Sequence, residues 1–201
     1  MKPEKINQFF VALDRELHLP AEVIIIGASA ESLMGHVRPS LDIDFEIRAK
    51  SGHSGLFRKN VVRAIETAQE KVKIAVNYSE NIKGWSMINY LDYRKTAIPY
   101  KKIGLLDVKI MAPEYWTIGK MTRFLELDIQ DMLKIIKAKN IAPERLRKIW
   151  IKAFASSDLS LELGQFKQHV IFFVERHGTG MWGRSFNAEK WIQEFTAKLD
   201  R

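Results

Sequence analysis

Val23-Ile24-Ile25-Ile26-Gly27-Ala28-Ser29-Ala30, followed after a short gap by Arg38-Pro39-Ser40-Leu41-Asp42-Ile43-Asp44-Phe45-Glu46-Ile47, is the stretch on which the fold turns. An apolar run stops at a Gly-Ala-Ser turn, and a second apolar run carries alternating carboxylates. The first reads as a short buried strand over Glu22 to Ile26, and the second as a strand over Leu41 to Arg48. Ser29 is a residue type that caps a helix, here over about Ala30 to Met34. Side chains alternate across a strand, so Asp42 and Asp44 share one face, roughly 7 Å apart, while Ile43, Phe45 and Ile47 share the other. Two neighbouring carboxylates repel each other, and a divalent cation removes the repulsion. Magnesium suits such oxygen ligands, because it takes one or two carboxylates and fills its shell with water and phosphate. Gly27 lets backbone approach a ligand closely, and amides at a helix start point toward phosphate.

Two further acids bear on this pair. Glu46 lies on the same face but farther along, and is expected to be an exposed strand residue, with a ligand role as the alternative. Asp107 interrupts the apolar strand Gly104-Leu105-Leu106-Asp107-Val108-Lys109-Ile110. Either it faces solvent with Lys109, or its strand lies beside residues 41–48 and the three acids converge. Such a cluster serves in-line phosphoryl transfer by two metals.

Working outward, Ile6, Phe9, Phe10, Leu13 and Leu17 recur at helical spacing, so an amphipathic helix is expected before Pro20. Leu56 to Glu70 reads as a helix, and Lys71 to Tyr78, Trp85 to Leu91 and Ile103 to Met111 read as strands. Tyr93 to Ile98 reads as an edge strand stopped by Pro99. Beyond Pro113 the period becomes helical, over about Pro113 to Phe124, Ile129 to Lys139, Pro143 to Phe154, Ser160 to Arg176 and Ala188 to Leu199. Gly178, Gly180 and Gly183 mark a loop before the last helix. The expected class is α+β: an α/β-like lobe over residues 1–112 and a helical lobe over residues 113–201.

With 46% hydrophobic residues in 201, the chain should be globular. No apolar run reaches the roughly 20 residues of a membrane helix, and Met1 to Lys5 leads into an amphipathic segment unlike a signal peptide. The absence of cysteine excludes disulfides and thiolate metal sites and fits a cytoplasmic protein. A net charge of +8 fits either attraction to a polyanion such as RNA or solubility alone. Arg145, Arg147, Lys148 and Lys152 surround Trp150 on one helix and could track a nucleic-acid backbone. Trp150 itself, with Trp85, Trp116, Trp182 and Trp191, is expected in the core. The five histidines show no zinc spacing, and no phosphate-loop lysine motif or serine-hydrolase elbow occurs.

The order Ile26-Gly27-Ala28, gap, Asp42-Ile43-Asp44-Phe45 resembles the signature of the nucleotidyltransferase superfamily, the DNA polymerase β-like fold. Its pattern has Gly or Ser where Ala28 stands here, and Ser29 could replace that hydroxyl. Arg38-Pro39-Ser40-Leu41-Asp42-Ile43-Asp44 further resembles the run found in AbiEii-type toxin-like nucleotidyltransferases. Pro113-Glu114-Tyr115, Lys120, Arg123 and Asp128-Ile129-Gln130-Asp131 resemble a later motif of that group. The resemblance covers about residues 23 to 136. It implies a mixed sheet flanked by helices and transfer of a nucleoside monophosphate from a triphosphate to an acceptor.

On that reading Asp42, Asp44 and Asp107 hold Mg2+ or Mn2+, and Gly27, Ala28, Ser29 and Arg38 bind the nucleotide. Lys120 assists, with Arg123, Asp128 and Asp131 in support. RNA, tRNA included, is the expected acceptor, and a toxin role beside an antitoxin protein follows from the narrower resemblance. The alternatives are an inactive nucleotide- or RNA-binding protein of the same fold, which Ala28 favours, and an enzyme modifying a small molecule such as an antibiotic. For Lys120, Asp128 and Asp131 a solvated helix face is the competing reading, and for Arg38 a pairing with Asp42 or Asp44.

Overall fold

The computed structural model describes residues 1–35, 41–50 and 54–199. Among these the chain divides into two compact units. The first comprises Met1–Ile82 and Arg94–Met111; the second comprises Lys83–Tyr93 and the chain from Ala112 onward.

The first unit is a mixed five-stranded sheet with helices. Its elements are α1 (Pro3–Leu17), β1 (Ala21–Ile25), α2 (Gly27–Leu33), β2 (Asp42–Ala49), α3 (Ser54–Val72), β3 (Ala75–Ser79), β4 (Ile98–Ile103) and β5 (Leu106–Ile110). The strand order is β3-β2-β1-β5-β4. β1 runs antiparallel to β2 and parallel to β5, while β2 runs parallel to β3.

The period-two pattern of β2 sets the layers. Ile43, Phe45 and Ile47 are fully buried. The Phe45 ring lies 5.7 Å from that of Phe9 and 5.4 Å from that of Phe10, both on α1. Ile6, Leu13 and Leu17 complete the buried face of α1, which packs along α3. Burying an aromatic or aliphatic side chain of this size contributes about 1.5–3 kcal/mol, which makes this layer the anchor of the sheet. Asp42, Asp44, Glu46 and Arg48 are left on the other face.

The strand expected over Lys71 to Tyr78 starts only at Ala75, because α3 runs on to Val72, and three other expected strands differ more. Trp85 to Leu91 is no strand: a 3-10 turn covers Ile82–Trp85 and irregular chain follows. There the Ser86 and Asn89 side-chain oxygens accept from the backbone N–H of Ile88 (2.9 Å) and Leu91 (2.7 Å). Side chains that satisfy backbone donors locally compete with a sheet ladder. Tyr93 to Ile98 begins instead as a short helix, α4 (Tyr93–Thr96). Pro99 sits inside β4, which its position at the sheet edge permits, with the register shifting between Pro99 and Lys101. Ile103 to Met111 is divided by Gly104 at φ +53°, which turns the chain from β4 into β5.

The second unit is helical: α5 (Pro113–Arg123), α6 (Glu126–Ala138), α7 (Pro143–Ala155), α8 (Leu161–Trp182) and α9 (Ala188–Thr196). Pro113 and Pro143 open their helices at the first turn, where a missing N–H is harmless. α8 runs through Gly178 and Gly180, and only Gly183, at φ +97°, caps it. Gly178 faces Phe186, whose ring would meet a larger side chain.

Trp150 is fully buried in this unit, its indole N–H donating to Thr117 Oγ1 at 3.0 Å and its ring 6.2 Å from Phe173. Trp116 and Trp191 are buried as expected, whereas Trp85 is 43% exposed. Asn89 belongs here too: its backbone N–H donates to Ser157 Oγ (2.8 Å) and its Nδ2 to the Ser156 carbonyl (3.0 Å).

Candidate functional site

The turn and the acid pair meet at one end of the sheet. Ile26 donates its backbone N–H to the Asp44 carbonyl at 2.9 Å, extending the β1–β2 ladder by one bond and bringing the next residue, Gly27, over Asp44. Gly27 has φ +59°, the left-handed region that favours glycine. A Cβ there would lie 2.9 Å from the Asp44 carboxyl carbon, so the missing side chain is what makes room for the carboxylate.

Ser29 does something other than expected. It is fully buried, and its Oγ donates to the Asp42 backbone carbonyl at 3.1 Å. The hydroxyl ties α2 to β2. Ala28 is buried as well, at 8% exposure. Of the expected nucleotide-binding set, Gly27 alone is held against a carboxylate, and Arg38 lies outside the described residues.

Asp42 and Asp44 share a third neighbour that the sequence reading missed. β3 runs parallel to β2 with Asn77 opposite Asp44. Asn77 Nδ2 donates to Asp42 Oδ2 at 2.7 Å and to Asp44 Oδ1 at 3.0 Å. One amide thus spans both carboxylates. The available signal was an asparagine at an exposed strand position, a residue depleted in strands.

Asp107 does not join the pair. β5 lies beside β1, with Asp107 opposite Glu22, and Glu22 stands opposite Arg48 on β2. Arg48 is four residues from Asp44, about 13 Å along the strand, and β5 is two strand spacings away, about 10 Å more. Asp107 is instead ion-paired to Lys50, with Lys102 at 3.8 Å. The hydrogen bond from Lys50 is the largest influence holding its carboxyl below the usual aspartate range. Among the described residues no group of three or more His, Cys, Asp or Glu side chains is arranged to hold a metal ion.

Glu46 is not an exposed strand residue. It is 1% exposed and accepts two hydrogen bonds from Arg94, at 2.6 and 3.0 Å, and one from the Ile82 backbone N–H at 3.1 Å. Arg48 Nε lies 3.2 Å away. Glu22 extends this network through Arg48 and Lys109. Burial pushes its carboxyl up, but the hydrogen bonds from Lys109 and Arg48 outweigh it and leave the net shift downward.

In the second unit Lys120, Asp128 and Asp131 form a buried ion cluster. Lys120 Nζ lies 2.5 Å from Asp131 Oδ2 and 3.0 Å from Asp128 Oδ1, and all three are at most 3% exposed. Arg123 pairs with Asp128 at 2.7 Å, and Asp128 also accepts from the Leu125 N–H that opens α6. The solvated-face reading fails for these three: they join α5 to α6. Of the basic helix α7, Arg145 pairs with Glu114 at 2.6 Å and Arg147 with Glu194, while Lys148 and Lys152 are exposed.

At the Asp42 end of the first unit, on the sheet's α1 side, lies a hollow of about 520 Å³. Lys2, Lys5, Lys73, Glu4, Leu41 and Ile74 line it. Leu41 and Ile74 directly precede the paired residues Asp42 and Ala75. Lys5 Nζ donates to the Lys73 carbonyl at 3.3 Å, which draws two of the three lysines together.

The Asp42–Asp44 pair fits one hard divalent cation. It offers two carboxylates, a glycine that clears the space against one of them, and an amide within hydrogen-bond reach of both. No protein-family model matches the chain, and no curated protein or solved structure does so either.

Proposed function

We propose that the protein is a divalent-metal-dependent nucleotidyltransferase, moving a nucleoside monophosphate from a nucleoside triphosphate to an acceptor and releasing pyrophosphate. The observation that carries this reading is the packing of Gly27 against Asp44. A positive φ and a steric requirement for glycine coincide where the chain leaves β1, against one carboxylate of the Asp42–Asp44 pair.

Asp42 and Asp44 would hold Mg2+ or Mn2+, with water and triphosphate oxygens completing the shell. The cation, when bound, offsets the charge of the triphosphate and of the leaving pyrophosphate. The acceptor hydroxyl attacks the α-phosphorus, and the bond to the β-phosphate bridging oxygen breaks, its electron pair leaving with pyrophosphate. One carboxylate of the pair takes the hydroxyl proton. Asp107, ion-paired to Lys50 away from the acid pair, has no step in this scheme, and none is assigned to Lys120, which Asp131 and Asp128 hold in place.

A polyanionic acceptor, RNA or tRNA, is supported by the net charge of +8 and by Lys2, Lys5 and Lys73 beside the Asp42 end of the sheet. Lysines so placed attract a phosphate backbone at low salt. A toxin role, with a separate antitoxin, rests on the sequence resemblance alone.

A second reading, a nucleotide- or RNA-binding protein without transfer activity, is favoured by one observation. The residue spanning the acid pair is Asn77, not a third carboxylate.

Two measurements separate the readings. Thermal midpoints are compared with each nucleoside triphosphate, with and without Mg2+; selective binding raises the midpoint. Labelled triphosphate is then incubated with total RNA. Label entering RNA with wild type and lost in Asp44→Ala supports transfer. Stabilisation without labelling favours the binding protein. Labelling that survives Asp44→Ala would sink the site assignment.

A further inference from the structure

We propose that Asn77 is the third ligand of the Asp42–Asp44 site, and that its amide turns over when a divalent cation arrives. This rests on the metal-binding reading above.

The argument begins with what each group can do. An ionised carboxylate only accepts hydrogen bonds, so a single amide between two of them must present Nδ2, as Asn77 does at 2.7 and 3.0 Å. A cation held by the same carboxylates reverses the demand. An N–H then points at positive charge, and only Oδ1 can bind. Asparagine meets both demands with one side chain, because a half-turn about its last rotatable bond exchanges Nδ2 and Oδ1 with little change in shape. That torsion is broad and two-fold, so the exchange needs no backbone movement.

The surroundings permit the turn. Asn77 lies on β3, an edge strand, and its side chain is exposed. Parallel pairing with β2 fixes its backbone opposite Asp44, so the amide stays within reach of both carboxylates in either orientation. The amide's two hydrogen bonds both go to the acid pair, and neither ties it to backbone.

A carboxylate at position 77 would make a third like charge beside two others. It would bind a cation more tightly, but would repel the pair whenever the cation left. The amide draws the pair together instead, at the cost of cation affinity. The inferred consequence is a site that releases its metal readily and binds it firmly only when triphosphate oxygens complete the shell.

The test measures cation binding by the full chain, without substrate. Mn2+ is titrated calorimetrically into wild type, Asn77→Asp and Asn77→Ala. Asn77→Asp should tighten binding by about tenfold or more through its added charge. Asn77→Ala should weaken it by about tenfold, as loss of a metal-supporting side chain does. In 15N-labelled protein, Mg2+ should move the Asn77 side-chain amide resonances upfield as the bonds to carboxylate are lost; the pair is assigned by its absence from Asn77→Asp. If wild type binds Mn2+ and both variants match it, Asn77 is no ligand, and the inference falls while the metal reading stands. If wild type binds no divalent cation, both fall together.

Discussion

Gly27→Ala is the substitution that most directly probes how the site is built. The new Cβ has two separate costs. At φ +59° an L-residue in the left-handed region is disfavoured by about 1–2 kcal/mol. The Cβ would also lie 2.9 Å from Asp44 Cγ and 3.1 Å from Asp44 Cβ, overpacking of a kind that costs about 1–3 kcal/mol. The expected total is about 3 kcal/mol, which for a chain of this length lowers the thermal midpoint by roughly 6–12 °C.

A double-mutant cycle with Asp44→Ala divides the two. Removing the carboxyl group leaves only the Asp44 Cβ contact, so Gly27→Ala in that background should cost about 1 kcal/mol, the backbone part alone. Gly35→Ala is the control: its φ is +104°, and a Cβ there meets nothing within 4 Å. Urea midpoints for the four members of the cycle provide the assay. An equal cost of Gly27→Ala in both backgrounds would refute the steric coupling of the turn to Asp44, and with it the observation that supports the proposed function.

Two further outcomes follow from the charged clusters. Lys120→Met removes the buried cation that lies between Asp128 and Asp131, a change that costs about 3–5 kcal/mol; a far lower urea midpoint is expected, and a fully stable but inactive variant would give Lys120 a part in the chemistry. Glu22 has its carboxyl held below the ordinary 4.5, so its ion pairs stabilise the fold above that pH and lose their effect as pH falls through the lowered folded value. Glu22→Gln should therefore flatten the decline in urea midpoint below about pH 4.5; an acid limb as steep as that of wild type would show that Glu22 carries no such linkage.

What the sequence revealed and what it hid follow from the range of the forces involved. β1 and β2 are legible because burial on one face imposes a two-residue period, and Asp42 and Asp44 break that period on the open face only. The helices after Pro113 are legible for the equivalent reason at 3.6 residues. Residues 83–93 are not, since Ser86 and Asn89 bind nearby backbone donors, and propensity says nothing of that competition. Strand order was the larger loss. Asp107 sits in an apolar strand as expected, yet whether that strand flanks β1 or β2 is decided by pairing across more than 80 residues. The same blindness hid Asn77, which matters only because β3, not β5, lies beside Asp44. Lys120, Asp128 and Asp131 were picked out by motif, but one buried ion cluster and one exposed row of charges have the same spacing along a helix.

The route of the chain carries a consequence for synthesis on the ribosome. β1 forms early, but its parallel neighbour β5 pairs Ala21 with Leu106 and Ile25 with Ile110. Until residue 110 has left the exit tunnel, one side of β1 is a bare row of backbone donors and acceptors. The stretch Lys83–Tyr93 emerges in that interval, although it belongs with helices not yet made. Asn89 must wait for Ser156 and Ser157 to gain its partners. At about 5–20 residues per second the nascent chain spends several seconds in this unfinished form. A shortened gene ending near residue 112 would therefore yield a sheet with an orphaned excursion, and a fragment starting there would lack the strand of chain that Asn89 fastens to the end of α7.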